Sequence, residues 1–257
     1  MTDFTPTPER QKRILALLEK QGRLSVTEIV EQFSVSEATA RRDLESLAFE
    51  RKVQRVHGGA MAVGQAPPEL PILEREDEQA DEKKRIGLSA ANLIADKETV
   101  FLGSGTTVLE VARNLRNRKS LTVITNSLPV LNALAGAEGI TVICLGGMLR
   151  DSEMSFIGHI TEQALTEVRA DKVIMGTRGL SLDHGVTNDY LQETLTDRAI
   201  LKIGREVILV ADHTKVNRVA TALLAPLDSM DIFVTDAKAD KKFITALKKL
   251  DIKVIVV

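Results

Sequence analysis

Cysteine is almost absent: Cys144 is the single one in 257 residues. One thiol excludes an intramolecular disulfide and a cysteine-rich zinc site. Net charge is small as well, −2 in all, so total charge does not point to a nucleic-acid partner. Residues 1–60 carry ten Lys and Arg against nine Asp and Glu. Any basic footprint there must come from placement. No apolar run is long enough to span a bilayer and no signal peptide is evident, so a cytoplasmic location with no membrane partner is expected. No Gly-Lys-Ser/Thr follows the glycine-rich stretch near residue 103, which excludes a Walker A loop. What is present is a hydrophobic content of 44%, enough for real cores. The length suits one large domain, or a small one followed by a larger one.

The stretch Ser36-Glu37-Ala38-Thr39-Ala40-Arg41-Arg42-Asp43-Leu44 reads as a DNA-recognition helix. Ser36 is a suitable N-cap. Ala38, Leu44 and Leu47 can share a buried face, leaving Glu37, Thr39, Arg41 and Arg42 outward. Arginine pairs with phosphate or, bidentately, with guanine in the major groove. An amphipathic helix with solvated arginines is the plain alternative, and the flanking elements decide between them. A first helix is expected over 8–21, with Ile14, Leu15, Leu17 and Leu18 on its apolar side and Gly22 closing it. Leu24-Ser25-Val26 suits a short strand, and Ser25 with Glu28 has capping-box spacing for a second helix. Two short helices joined by Ser34-Val35 make a helix-turn-helix. Val53–His57 alternates like a strand. It is expected to pair with Leu24–Val26 as a wing closed by Gly58-Gly59, with Arg55 and His57 near the DNA backbone and His57 in a minor role.

These residues resemble the N-terminal domain of DeoR-family transcriptional repressors. The likeness is carried by Arg10 through Leu18, Val35-Ser36, Thr39-Ala40-Arg41-Arg42-Asp43-Leu44 and Arg55-Val56-His57-Gly58-Gly59-Ala60. One departure is Arg51, where the family usually has Gly at the turn into the wing. The resemblance implies a winged helix-turn-helix over 1–60 binding double-stranded operator DNA. The expected contact residues are Ser25, Ser36, Glu37, Thr39, Arg41, Arg42, Arg55 and His57.

Residues 61–82 are acidic and carry Pro67, Pro68 and Pro71, the pattern of a solvated linker leading to a helix near Asp77. From Lys83 to Val257 the pattern is strand, helix, strand, helix. Strands are expected at Thr99–Leu102, Leu121–Thr125, Ile140–Leu145, Lys172–Met175, Glu206–Ala211, Ile232–Thr235 and Lys253–Val257. Such short Val- and Ile-rich runs suit parallel strands buried on both faces. Helices are expected at Thr106–Leu115 and at Asp189–Ile203, the latter with Leu191, Leu195, Ala199 and Ile203 on one side. The fold class is therefore α/β: a small winged helix-turn-helix and a larger open, mostly parallel sheet domain.

Ligands of such sheets bind beyond the carboxyl ends of the strands. Gly103-Ser104-Gly105-Thr106-Thr107 follows a strand and opens a helix, which suits a phosphate. Val108 at the third glycine position makes it a poor dinucleotide fingerprint. Thr125-Asn126-Ser127, Gly146-Gly147 with Arg150, Arg178-Gly179 and Asp212-His213-Thr214-Lys215 follow other strands. Jointly these loops describe a polar crevice for a phosphorylated polyol.

The same loops resemble the DeoR-family effector domain, which is related to ribose-5-phosphate isomerase and CoA transferases. Many members have Asp where this chain has Gly103. The resemblance implies a sensor of a phosphorylated sugar or related metabolite. The expected effector residues are Gly103, Ser104, Gly105, Thr106, Thr107, Thr125, Asn126, Ser127, Gly147, Arg150, Arg178, Glu193, Asp212 and Lys215. A ligand-controlled repressor, assembled as a dimer or tetramer, is the first reading, with no cofactor, no metal and no catalytic residue. The second is an isomerase- or transferase-like enzyme carrying a DNA-binding module, in which Glu193, Asp212 and Lys215 would do acid–base work.

Overall fold

A computed structural model describes residues 7–21, 23–50, 52–56, 58–62 and 70–257. Gly22, Arg51 and His57, singled out above, lie outside the described residues. The chain forms two compact units, Met1–Pro67 and Pro68–Val257.

In the first unit the elements are α1 (Thr7–Gln21), β1 (Arg23–Ser25), α2 (Val26–Phe33), α3 (Glu37–Phe49), β2 (Val53–Val56) and β3 (Gly59–Ala62). Ser25 starts α2 through a complete capping box: its hydroxyl accepts from the Glu28 amide, and the Glu28 carboxylate accepts from the Ser25 amide. Ser36 caps α3 by its hydroxyl alone, accepting from the Thr39 amide. Ile14, Leu18, Leu24, Ile29, Phe33, Ala40, Leu44 and Leu47 close one core.

Two expectations are corrected here. The buried face of α3 is Ala40, Asp43, Leu44 and Leu47, and Ala38 is exposed. The wing is ordered β1-β3-β2, so the Val53–Val56 strand pairs with Gly59–Ala62 and only the latter pairs with β1. Gly59 explains the inserted strand. A Cβ there would lie 2.2 Å from the Leu24 carbonyl oxygen, so only glycine lets β3 reach β1.

In the second unit the elements are α4 (Ala80–Ala91), β4 (Thr99–Leu102), α5 (Thr106–Leu115), β5 (Leu121–Thr125), α6 (Leu128–Leu134), β6 (Ile140–Cys144), β7 (Met148–Arg150), β8 (Ser155–Ile157), α7 (His159–Leu165) and β9 (Ala170–Met175). There follow β10 (Gly179–Ser181), β11 (Gly185–Asn188), α8 (Leu191–Leu201), β12 (Gly204–Val210), β13 (Ala222–Ala225), β14 (Ile232–Thr235), α9 (Lys241–Lys249) and β15 (Lys253–Val256). The central sheet has seven strands in the order β15-β14-β12-β9-β4-β5-β6, and each neighbouring pair is parallel. Both faces of the inner strands are buried, while the edge strands β6 and β15 are partly exposed. Ile174 and Ile208 point into a core with Ile86, Val108 and Val111; Val173 and Leu209 point into another with Ile200, Phe233 and Phe243.

From β4 the chain proceeds outward through β5 and β6. From β9 it proceeds the other way through β12, β14 and β15. The strand order therefore reverses between β4 and β9, and a crevice opens at the carboxyl ends of strands at such a switch point.

The stretch expected as a solvated linker behaves differently from Leu70 onward. Ile72 is buried and its amide donates to the Ser152 carbonyl at 2.7 Å. Arg75 is buried and its Nη2 donates to both oxygens of Glu153, at 2.5 and 2.6 Å. The helix opens at Ala80 rather than near Asp77, after Gln79 in a left-handed conformation. Apolar Ile72 and one buried ion pair hold an otherwise acidic segment to the second unit. Among the described residues no helix is long and apolar enough to cross a membrane.

Candidate functional site

A cleft in the second unit is lined by the loops that follow β4, β9 and β12. It therefore lies at the switch point. Ser104, Gly105, Thr106 and Thr107 form one wall. Gly105 precedes α5 at φ +110° with no side chain capping the helix, so the first amides of α5 are left for another acceptor. A left-handed φ of that size selects glycine. Thr177 and Arg178 follow β9, and Asp212, Thr214 and Lys215 follow β12; all five line the same cleft.

Arg150, Arg178, Glu193, Asp212 and Lys215 thus line one cleft together with Ser104–Thr107. Five other expected residues do not line the cleft. Gly103 is buried behind it, its amide bonded to the Ile174 carbonyl at 3.0 Å. The Thr125 hydroxyl donates to the Leu102 carbonyl at 2.7 Å, locking β5 to β4. Asn126 Nδ2 donates to the Phe156 carbonyl at 2.9 Å, and its buried Oδ1 has no hydrogen-bond partner among the described residues. Ser127 caps α6. Gly147 packs on α7, where a Cβ would meet the Thr161 hydroxyl at 2.1 Å. The physical reason is topological. These loops, Gly103 apart, follow β5 and β6, one and two strands beyond the switch point.

The cleft also holds residues that periodicity did not single out. Arg75, Glu78, Gln79 and Lys83 come from the acidic stretch and the start of α4; Glu153 and Asp189 come from loops, Asn188 from the end of β11 and Asp197 from α8. The expected apolar face of this helix holds at its carboxyl end, where Ile203 is buried and Ala199 packs against the core, and fails at its amino end. Leu191 and Leu195 are 60% and 49% exposed, while Glu193, Thr194, Thr196, Asp197 and Ile200 are buried. Helix α8 turns a polar face inward because that face borders the cleft. A buried run of Glu, Thr and Asp at helical spacing was the available signal.

The charged groups are paired across the cleft. Arg150 pairs with Glu193 and lies over the Tyr190 ring, 4.7 Å from its centroid. Ser155 Oγ donates to Glu193 at 3.2 Å. Arg178 pairs with Asp189 at 2.8 Å. Lys83 Nζ donates to the Arg75 carbonyl at 2.6 Å. Burial depresses the Lys83 ammonium pKa, and the nearby Asp212 carboxylate opposes that shift. Burial pushes the Asp197 carboxyl well up, and the Glu193 carboxylate one turn away pushes it further. Asp212 is a turn-forming acid, its Oδ1 accepting from the Thr214 amide at 2.9 Å. The arrangement can hold an anion at the α5 end and polar groups at the α8 end.

In the first unit Glu37, Arg41 and Arg42 are exposed on α3, and Thr39 is half-buried. Arg41 and Glu37 approach to 3.7 Å as an exposed pair, which water screens. The hydroxyls of Ser25, Ser36 and Thr39 are engaged at the helix starts. Arg55 Nη1 donates to the Gly59 carbonyl at 3.1 Å, bracing the hairpin. Asp43 is buried and takes both Nε and Nη2 of Arg10, at 2.5 and 3.2 Å. The Asp of the Arg-Arg-Asp-Leu motif thus ties α3 to α1, while the two arginines face outward.

Comparison with known proteins agrees with both halves. A DeoR-like helix-turn-helix domain matches residues 10–66, and a DeoR C terminal sensor domain matches residues 78–237. The transcriptional repressor AccR of Agrobacterium fabrum is 33% identical over 256 residues, covering 95% of this chain and 99% of the relative. The glycerol-3-phosphate regulon repressor of Escherichia coli is 37% identical over 229 residues, covering 89% and 90%. Among solved structures, ribose 5-phosphate isomerase A of Methanocaldococcus jannaschii aligns with 54% of this chain and 55% of its own, at a TM-score of 0.41 and 16% identity. With a matching helix-turn-helix, a matching sensor domain and relatives alike over nearly their whole length, the chain belongs to the DeoR family of DNA-binding transcriptional regulators.

Proposed function

We propose that this regulator is a cytoplasmic repressor of carbohydrate-metabolism genes, released from or strengthened on its operator by a phosphorylated sugar or related metabolite. The observation that carries the effector half is the Gly103–Thr107 turn. It leaves the α5 amides open toward a cleft that also holds Lys83, Arg178 and Lys215. Helix amides and nearby cations are the usual means of holding a phosphate. The operator half rests on the exposed Arg41 and Arg42 of α3. The relatives' names, a glycerol-3-phosphate regulon repressor and a putative aga operon repressor among them, support sugar metabolism as the regulated process. Of the carboxylates in the cleft, Glu153, Glu193 and Asp189 are held in ion pairs and Asp212 in a turn, which supports sensing rather than turnover.

The ligand acts on DNA affinity only by binding one conformational state more tightly than another. Coupling of about 1–3 kcal/mol would move operator affinity roughly 5- to 150-fold. The test is calorimetry and operator binding on three proteins with one sugar phosphate. Gly105→Val strains a left-handed position and fills the turn, so ligand affinity and response should fall while ligand-free operator binding persists. Arg41→Ala/Arg42→Ala should lose operator binding and flatten its salt dependence while the ligand still binds. Wild-type ligand response in the Gly105 variant defeats the effector site. Turnover of the sugar phosphate would favour the enzyme reading instead.

A further inference from the structure

We propose that Asp197 is the residue that separates an organic phosphate from phosphate itself in this cleft, by exchanging hydrogen bonds with a hydroxyl of the ligand. The proposal rests on the reading of the cleft as a phosphate site. Asp197 lies on the inward face of α8, four residues after Glu193, and it borders the cleft while only 6% exposed. The other carboxylates around it have cations: Glu193 has Arg150, Glu153 has Arg75, and Asp189 has Arg178. Asp197 forms no ion pair within 4 Å among the described residues. Its Oδ2 accepts from Asn188 Nδ2 at 2.7 Å, and no hydrogen bond from the described residues reaches Oδ1.

A carboxyl buried without a cation is far more stable as the neutral acid. Burial and the neighbouring Glu193 carboxylate favour that form here, and they outweigh the opposing effects of the more distant Arg150 and of the Asn188 hydrogen bond. A protonated carboxyl has one O–H donor and keeps acceptor capacity. A sugar hydroxyl also donates and accepts, so the two are complementary. Inorganic phosphate held at the α5 end has no carbon chain to bring a hydroxyl to α8. A site built to bond a hydroxyl discriminates against ligands lacking it, because its own polar group is then left unpaired.

The experiment is calorimetry of the full chain with D-ribose 5-phosphate, D-fructose 6-phosphate and sn-glycerol 3-phosphate, against inorganic phosphate as reference. Wild type should bind at least one of the three more tightly than inorganic phosphate. Asp197→Ala should weaken that ligand about 10-fold or more beyond any change for inorganic phosphate, the scale of one buried hydrogen bond. Asp197→Asn, which keeps a donor and an acceptor, should recover most of the loss. If Asp197→Ala does not fold, Asp197→Leu carries the same comparison. A purely structural role would weaken organic and inorganic phosphate together, and that result overturns the proposal. So does wild-type selectivity in the Ala or Leu variant, or no organic phosphate outbinding inorganic phosphate. A wild-type protein that binds no phosphate of either kind fails the cleft reading itself, a separate outcome.

Discussion

The arginines and carboxylates of this chain divide into two kinds of work. Arg10 and Asp43 are buried against each other, with Gln11 adding a third hydrogen bond to Asp43 at 3.3 Å. Removing one partner of a buried pair strands the other charge and costs about 3–5 kcal/mol. Asp43→Ala should therefore unfold the first unit, seen as loss of operator binding together with rapid proteolysis before residue 67. Arg41→Ala/Arg42→Ala should lose binding with no such sensitivity. Asp197 makes a prediction of opposite sign. Its folded pKa is raised by burial and by Glu193. A raised pKa contributes stability that is fully present below the ordinary carboxyl value and is lost as pH rises through the folded value. Asp197→Asn mimics the protonated acid at every pH. Thermal melts of the Asn variant should gain on wild type as pH rises from 4 toward 8. An equal offset at both ends would mean that the acid ionises normally.

Elements are placed here by local signals when the signal is short-range chemistry. The capping box at Ser25 and Glu28 opens α2, and the same contact holds the Glu28 carboxyl below its usual range through the Ser25 amide. Ser25→Ala should cost about 1 kcal/mol of first-unit stability, measured by denaturant unfolding. A cost near zero would mean that β1, not the cap, positions α2. Strands behave similarly. Thr99–Leu102, Leu121–Thr125 and Ile232–Thr235 fold with the bounds that their Val, Ile and turn residues indicated. Helix α8 does not. Its Leu191 and Leu195 are spaced as a core face yet point outward, because Glu193 and Asp197 in the same half of the helix border the polar cleft, while Ile200 further on packs into the core. Amphipathic spacing says which residues share a face, and it does not say which face is buried.

At the scale of the whole molecule, one winged domain offers few contacts for a tight operator complex. Dimers with two-fold symmetry commonly read paired half-sites. The expected outcome of sedimentation at micromolar concentration is therefore a dimer or larger, with or without operator DNA. A monomer under both conditions would overturn it. The operator affinity should fall steeply with salt, because phosphate contacts release counterions. The near-neutral charge of the chain does not oppose this, since the relevant arginines are concentrated on one exposed helix face.

By itself the sequence determined the helix starts at Ser25 and Ser36, the outward arginines of α3, the parallel strands and the glycine turn before α5. Each depends on residues close together in the chain, where backbone geometry and periodicity act directly. Only the tertiary structure decided the rest. The β1-β3-β2 order of the wing depends on the absent Cβ of Gly59 meeting a carbonyl more than thirty residues away. The membership of the cleft depends on which strands flank the switch point, so Arg75, Lys83 and Asp197 entered it while Thr125, Asn126 and Ser127 became its support. Strand order is a property of long-range pairing, and nothing in local spacing encodes which loop will face which.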